Sequence, residues 1–229
     1  MNNDTNNKVL IIVAHTDDET LGLGATIAKH VSNGDKVYAL SMTNGIGARE
    51  NVKQEEIDIR AKAAYEASNV LGFKWLKGGN FPDNAMDSVP VLNIIKFIEE
   101  AKKEIEPYLI YTHSSADLNI DHRVVNQATF TAFRPQDKEI WQEIRTFEVP
   151  SSTDYGHKSI TNSFSPNLYI NISEWWNKKL CALQIYSNEI RKSPHSRSIA
   201  GIENLAKYRG NQVGLSYAEA FEIIRKIER

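Results

Sequence analysis

The 229-residue sequence predicts an α/β fold, a three-layer sandwich in which helices cover both faces of a mostly parallel sheet. Short apolar runs alternate four times with segments whose apolar residues recur at helical spacing, which is the pattern of parallel βαβ units. The first run, residues 8–13, is almost continuously aliphatic, as is typical of a strand buried on both faces. Polar residues follow these runs directly, and open α/β sheets bind ligands at the carboxyl ends of their strands.

The first 150 residues contain most of the predicted elements. Strands are predicted over residues 8–13, 36–42, 73–76, 108–112 and 144–149. Helices are predicted over 19–30, 49–71, 89–104 and 123–132, with Gly72 as a C-cap of the second helix. Because parallel strands need right-handed crossovers, this order indicates a Rossmann-like architecture.

The pattern changes after Pro150. Residues 151–166 read as a loop, 167–172 as a strand, and 173–190 as a helix. Two further helices are predicted over 199–209 and 217–227. Since no segment has the composition of a linker, we expect one domain over 1–229. Residues 1–150 would form its Rossmann-like core, and 151–229 would complete it with a strand and helices.

Composition narrows the class of protein. A formal net charge of −2 gives no reason to expect a nucleic-acid partner. A single cysteine, Cys181, excludes an intrachain disulfide and suits a reducing compartment, and its helical context predicts a buried thiol. Residues 1–7 lack the pattern of a secretory signal, and no apolar run is long enough to span a membrane. We therefore expect a cytoplasmic protein.

Two polar clusters at the same predicted sheet edge suggest a metal site. His15, Asp17 and Asp18 follow the first strand, and Asp121 and His122 follow the fourth. Carboxylates packed this closely are costly unless a cation holds them. Catalytic zinc takes three imidazole or carboxylate ligands and leaves a position for water. Because neighbouring side chains cannot both point the same way, one aspartate of the pair can bind metal while the other acts as a base.

Several motifs resemble the zinc-dependent N-deacetylase family (PIG-L/LmbE-like) that includes the glycosylphosphatidylinositol-precursor, mycothiol and bacillithiol deacetylases. The two main matches are Ala14-His15-Thr16-Asp17-Asp18-Glu19 and Asn119-Ile120-Asp121-His122. Further matches are Asn80-Phe81-Pro82-Asp83-Asn84, Pro194-His195-x-Arg197-Ser198 and Ala218-Glu219-Ala220-Phe221. The resemblance extends over nearly the whole chain.

The resemblance implies removal of an acetyl group from an N-acetylated amino sugar or its conjugate. It implies that His15, Asp18 and His122 bind Zn²⁺, or Fe²⁺ or another divalent ion in its place, and that Asp17 is the general base. Zinc would lower the pKa of a water molecule to about 7. Asp121 would orient a neighbouring imidazole or cap the following helix.

Two positions depart from the family pattern. Thr16 replaces a proline, which removes no ligand. Asn119 replaces a histidine thought to stabilise the oxyanion, and an amide can donate a hydrogen bond but cannot deliver a proton. Either Asn119 acts as a weaker donor or His113, earlier in the same loop, takes the role. The sequence reading favours His113.

Arg60 and Asp83 are the predicted substrate contacts. Arg60 lies in the second predicted helix, where an ion-paired or solvated arginine is the simpler interpretation, but a guanidinium also suits hydroxyl or phosphate recognition. Asp83 lies in the loop after the third predicted strand, on the edge where sugar hydroxyls would bind. Gly22 and Gly24 lack the third glycine of a dinucleotide loop, so they predict close packing of the first helix.

Two other functions remain open from the residues alone. His15, Asp17 and His122 also match the two-histidine, one-carboxylate set of non-haem Fe(II) oxygenases, although those enzymes are usually all-β jelly rolls. The replacement at Asn119 would suit an inactive sugar-binding or assembly module. The family resemblance also allows a homo-oligomer.

Overall fold

A seven-stranded sheet organises the part of the chain that the computed structural model describes, residues 7–48, 53–157 and 162–228. Its spatial order is β3-β2-β1-β4-β5-β7-β6. The strands are β1 (Lys8–Val13), β2 (Lys36–Ser41), β3 (Lys74–Trp75), β4 (Leu109–His113), β5 (Glu143–Phe147), β6 (Leu168–Asn171) and β7 (Ala218–Lys226). The first five are parallel, whereas β7 runs antiparallel to both β5 and β6.

Helices cover both faces of this sheet. They are α1 (Asp18–Ser32), α2 (Gln54–Leu71), α3 (Val91–Ile105), α4 (Ile120–Ala132), α5 (Trp176–Ile185) and α6 (Ile199–Asn211). Alternate residues of β1 enter the two cores: Val9 and Ile11 pack on the side of α1, α2, α5 and α6, whereas Leu10 and Ile12 pack on the side of α3 and α4. The aliphatic run is therefore a strand buried on both faces, and the predicted three-layer α/β class is confirmed.

The predicted elements up to residue 150 are present, with shifts of a few residues at their ends. The predicted second helix began at residue 49, and 49–52 lie outside the described residues. The strand predicted over 167–172 and the helix over 199–209 are also present as β6 and α6. Helix α5 ends at Ile185, earlier than residue 190. Of the helices in the described residues, none is long and apolar enough to cross a membrane.

Two C-terminal predictions are wrong. The helix predicted over 217–227 is the strand β7, inserted between β5 and β6. Ala218, Glu219, Ala220 and Phe221 are all buried, because both faces of β7 are covered near its start. Pairing with two strands distant in sequence outweighs the helical propensity of this Ala/Glu/Lys-rich segment. Cys181, expected to be buried, is exposed on α5.

A buried ion pair sits at a kink in α1. Leu23 has non-helical dihedral angles (φ −143°, ψ 23°), so hydrogen bonds of the helix are interrupted there. Lys179 Nζ donates to the Leu21 carbonyl (2.9 Å), and Glu219 accepts from the amides of Ala25 (3.1 Å) and Thr26 (2.7 Å). Lys179 and Glu219 also pair with each other at 2.7 Å. The pair therefore satisfies backbone groups that the kink leaves without helical partners.

The close packing predicted for the glycines of α1 is also present. A Cβ on Gly22 would lie 2.3 Å from the Phe147 ring, so a side chain there could not be accommodated without displacing β5. Gly24 is less restrictive, since its added Cβ would meet neighbours only at ordinary contact distance.

Candidate active site

The two polar clusters meet between β1 and β4, where the chain stops adding strands on one side of β1 and begins adding them on the other. Strands β1 and β4 are neighbours, with β2 and β3 on one side and β5 on the other. The loops that follow β1 and β4 therefore diverge from a common point at the carboxyl edge of the sheet, which is the usual ligand site of such folds. His15, Asp17 and Asp18 come from the first loop and the start of α1, whereas Asp121 and His122 come from the first turn of α4.

Three donor atoms, one each from His15, Asp18 and His122, lie in a nearly equilateral triangle that we call the metal triangle. His15 Nδ1 is 3.2 Å from Asp18 Oδ2 and 3.3 Å from His122 Nε2, and His122 Nε2 is 3.3 Å from Asp18 Oδ2. Ligands at about 2.0 Å from a tetrahedral zinc ion are themselves about 3.3 Å apart. The residue types and the spacing thus fit a small divalent cation such as zinc.

The second nitrogen of each imidazole faces a carboxylate. His15 Nε2 is 3.2 Å from Asp121 Oδ2 and 3.1 Å from Asp83 Oδ1, and His122 Nδ1 is 3.0 Å from Asp117 Oδ2. Such contacts hold the ring with its opposite nitrogen free to bind metal. His15, Asp83 and Asp121 also lie close enough to one another to hold a cation, but Asp121 already accepts from the amides of Asn84 (2.7 Å) and Met86 (3.0 Å).

Without a bound cation, the buried carboxylates of this cluster favour the protonated, positively charged form of its imidazoles. Burial would lower the pKa of His15, but its hydrogen bonds to Asp121, Asp18 and Asp83 outweigh burial and raise that pKa well above its usual value. Burial likewise opposes protonation of His122, yet Asp18 and Asp117 raise its pKa to about 9. Burial would also raise the pKa of Asp18, but the imidazoles, led by His122, hold it far below the usual range. A bound cation would supply the charge that protons otherwise provide.

Asp17, the base that the family resemblance implies, lies beside the triangle and outside it. Arg60 Nη2 is 3.0 Å from its Oδ1, and Arg197 Nη1 is 3.5 Å from its Oδ2. The backbone of Asp17 has φ 141°, which is strained for a non-glycine residue, and its amide donates to Glu19 Oε2 at 2.9 Å. Burial raises the pKa of Asp17, and Arg60 only partly offsets this, so its carboxylate is suited to accept a proton.

His113 and Asn119 are placed differently. His113 is fully buried, and its Nε2 accepts the Ala14 amide at 2.9 Å while its ring stacks on His122. Burial and the nearby His122 lower the pKa of His113 to about 3, so it stays neutral. Asn119 lines the cavity next to the metal triangle. Its Oδ1 caps α4 by accepting the Asp121 amide (2.8 Å), and its Nδ2 donates to Asn84 Oδ1 (3.0 Å). Only Asn119 of the two thus reaches the cavity.

This cavity, the metal cleft, measures about 530 Å³ when the open solvent at its mouth is included, and it is walled mainly by polar residues. Arg60 and Asp83, both predicted as substrate contacts, line it. Arg60 also hydrogen-bonds to Thr16 and pairs with Glu189 at 2.6 Å, whereas Asp83 Oδ2 accepts the Ala48 amide at 3.1 Å.

Sequence reasoning assigned no role to three residues of the site. Asp117 holds His122, Glu189 pairs with Arg60, and Arg197 reaches both Asp17 and the metal cleft from the segment between α5 and α6. Asp117 stands in the polar loop that ends at His122, so its position in that loop was a usable signal. The Pro194-His195-x-Arg197 motif marked Arg197 but carried no indication of its partner.

Comparison with known proteins yields one family match. The model of the family described as PIG-L, GlcNAc-PI de-N-acetylase, matches residues 10–133. The chain is 29% identical over 183 residues to the uncharacterized deacetylase YaiS of Escherichia coli strain K12, covering 77% of this chain and 88% of that protein.

Solved structures share the fold at low sequence identity. N,N'-diacetylchitobiose deacetylase from Pyrococcus horikoshii superposes with a TM-score of 0.75 at 21% identity, covering 95% of this chain and 84% of that one. GalB, a 4-carboxy-2-hydroxymuconate hydratase from Pseudomonas putida KT2440, also has a TM-score of 0.75, at 18% identity and with 97% and 99% coverage. Because proteins with different reactions share this fold, the reaction must be argued from the site.

Proposed function

The chain belongs to the PIG-L (GlcNAc-PI de-N-acetylase) family, and we propose that it is a zinc-dependent hydrolase that removes the acetyl group from an N-acetylated amino sugar or its conjugate. The convergence of His15, Asp18 and His122 beside Asp17 carries this proposal. Two imidazoles and one carboxylate suit a hydrolytic zinc site, which keeps a position for water. The adjacent buried carboxylate is the base that amide hydrolysis needs.

In the proposed reaction, His15, Asp18 and His122 hold the metal and Asp17 moves the proton. Zinc would polarise the amide carbonyl and lower the pKa of a water molecule to about 7. Asp17 would accept the proton of the attacking water and pass it to the leaving amine. Asp121 would act through His15, by orienting its ring and by fixing the loop at Asn84 and Met86.

Polar residues around the metal cleft would bind the sugar. We assign the oxyanion contact to Asn119, since its amide group lines the metal cleft and the Nε2 of His113 is already engaged by a backbone amide. His113 then holds Ala14 and, by stacking, His122. Arg60 and Asp83 would contact sugar hydroxyls, because charged groups in fixed positions discriminate between hydroxyl patterns.

The alternatives differ in measurable ways. An Fe(II) oxygenase would retain iron and consume oxygen with a co-substrate, but the observed parallel sheet is unlike the jelly roll usual for that chemistry. A binding module would bind amino sugars without turnover at saturating zinc. The buried Asp17 would have no evident use in such a module.

A direct test is release of free amine from N-acetylglucosamine and its conjugates by zinc-loaded protein. Asp17→Asn should lower kcat by about 10²- to 10⁴-fold while zinc remains bound, because proton transfer is lost and the ligands stay. Asp137→Asn, which changes an exposed aspartate, is the matched control and should behave like the wild type. Activity that survives both chelation and Asp17→Asn would contradict the mechanism.

A further inference from the structure

A second cavity, about 500 Å³ when the open solvent at its mouth is included, adjoins the metal cleft and has more apolar surface. It lies between α2 and the segment that follows α5, and we call it the side pocket. Its lining is mixed: Ile46, Ile59, Ala63 and Ile185 supply apolar walls, and Glu56, Tyr186, Ser187 and Asn188 add polar groups. Arg60 and Glu189 line both cavities, so their ion pair (2.6 Å) forms part of the partition.

The loop after β2 forms another part of the partition. Gly45 and Ala48 line the metal cleft, whereas Ile46, between them, lines the side pocket. Gly45 has φ +74°, and a Cβ there would lie 2.8 Å from Arg60 Nη2. The loop therefore lies directly against the Arg60 guanidinium, and the two cavities adjoin at Arg60 and Glu189.

We propose that the side pocket binds an uncharged apolar substituent of the amino sugar, such as the aglycone of a glycoside, an inference that rests on the proposed function. Arg60 is the sole cation among its lining residues that the structure describes, and Glu189 and Asp17 already face it. Glu56, also in the lining, accepts the Lys53 amide at 3.0 Å to cap α2. Phosphate or carboxylate groups would meet carboxylates here, with no uncommitted cation among the lining residues that the structure describes.

The position of the charged pair favours a substituent on the sugar over a long N-acyl chain. The ion pair of Arg60 and Glu189 lines both cavities, and Arg60 also contacts Asp17 in the metal cleft. The first methylenes of an acyl chain would lie against those charges. A sugar ring can instead offer its hydroxyls to Arg60 and Glu189 and carry its substituent past them.

Ile59 gives independent support for an apolar occupant. It is 46% exposed on α2, where its side chain lies at the side pocket. Covering apolar surface of this kind is favourable because it removes that surface from water. A short alkyl or aryl group would cover Ile59 and the adjoining Ala63 together.

The test compares hexyl N-acetylglucosaminide with N-acetylglucosamine and with N-hexanoylglucosamine, using zinc-loaded protein. We expect kcat/KM for the hexyl glycoside to exceed that for N-acetylglucosamine by about 10-fold or more. Ala63→Phe should fill the side pocket and remove this preference while kcat/KM for N-acetylglucosamine is kept. Ala61→Phe introduces the same ring on an exposed position of α2 outside the side pocket and should keep the preference.

A binding measurement separates this proposal from the proposed function. Hexyl glucosaminide, the amine product, should bind more tightly than glucosamine by calorimetry, and Ala63→Phe should abolish the difference. If no acetylated sugar is turned over but this binding difference is found, the side pocket stands and the deacetylase proposal fails. Equal kcat/KM with and without the hexyl group, equal loss of both substrates in Ala63→Phe, or a preference only for N-hexanoylglucosamine would overturn the side-pocket assignment.

Discussion

Replacing Asp117 by asparagine should weaken metal binding although Asp117 does not belong to the metal triangle. Its Oδ1 accepts from the Asn119 amide (2.9 Å) and the Ser152 hydroxyl, and its Oδ2 accepts from Thr153 Oγ1 (2.8 Å) and faces His122 Nδ1 (3.0 Å). Asparagine can keep the Oδ1 contacts. Its NH₂ group, however, would replace Oδ2, and an NH₂ group cannot accept the hydrogen on His122 Nδ1.

The size of the effect follows from that one contact. To meet an NH₂ donor, His122 must present Nδ1 as an acceptor, which places the hydrogen on Nε2, the atom of the metal triangle. Metal binding must then reverse this tautomer and lose a charge-assisted hydrogen bond, which contributes about 1.5–3 kcal/mol. We therefore expect zinc affinity to fall by about 10- to 100-fold, the usual range for a residue that orients a ligand.

The measurement is a competition titration with a chromogenic zinc chelator near neutral pH, with folding checked by circular dichroism. Thr153→Val removes a hydroxyl that donates to the same carboxylate and leaves His122 in place. It should lower stability and change zinc affinity little. Unchanged zinc affinity in folded Asp117→Asn, or an equal loss in Thr153→Val, would refute the tautomer argument.

Three further predictions concern stability and the partition beside the metal cleft. Lys179→Met should lower the free energy of unfolding by about 3–5 kcal/mol in urea titrations, because Glu219 stays buried without its partner; a loss below about 1 kcal/mol would contradict this. Gly45→Ala should reduce both stability and kcat/KM, since the new Cβ strains the backbone and displaces Arg60. Gly34 has a similar φ (+89°), but an added Cβ there would meet no neighbour, so Gly34→Ala should reduce stability and leave kcat/KM unchanged. Equal kcat/KM in the two variants would contradict the contact between Gly45 and Arg60. Zinc at about 100 times its Kd should stabilise the fold by about 2.7 kcal/mol, or raise Tm by about 5–10 °C over chelated protein; identical melting curves would argue against a metal site.

The core and the meeting of the two polar loops could be predicted from the sequence because both depend on local patterns, whereas the family resemblance supplied the ligand set. The aliphatic run before His15 specifies β1 through burial on both faces, and the residues directly after a parallel strand must lie at the carboxyl edge of the sheet. His15, Asp18 and His122 therefore meet once β1 and β4 are neighbours, as the topology makes them.

The C-terminal third was predicted less well. The segment that forms β7 has the composition of a helix, and its conversion to a strand depends on β5 and β6, more than 40 residues away along the chain. Glu219 is charged, and its burial makes sense only beside Lys179 and the kink in α1.

The sequence by itself determined the α/β class, the pair of loops that carry chemistry, and the residue types able to hold a divalent cation. Only the tertiary structure decided which carboxylate holds which imidazole, that Asn119 and not His113 reaches the metal cleft, and that Arg197 stands against Asp17. The physical reason is the distance along the chain over which each effect acts. Backbone periodicity and strand-end position act over a few residues, whereas these contacts join atoms that the packing of distant segments brings together.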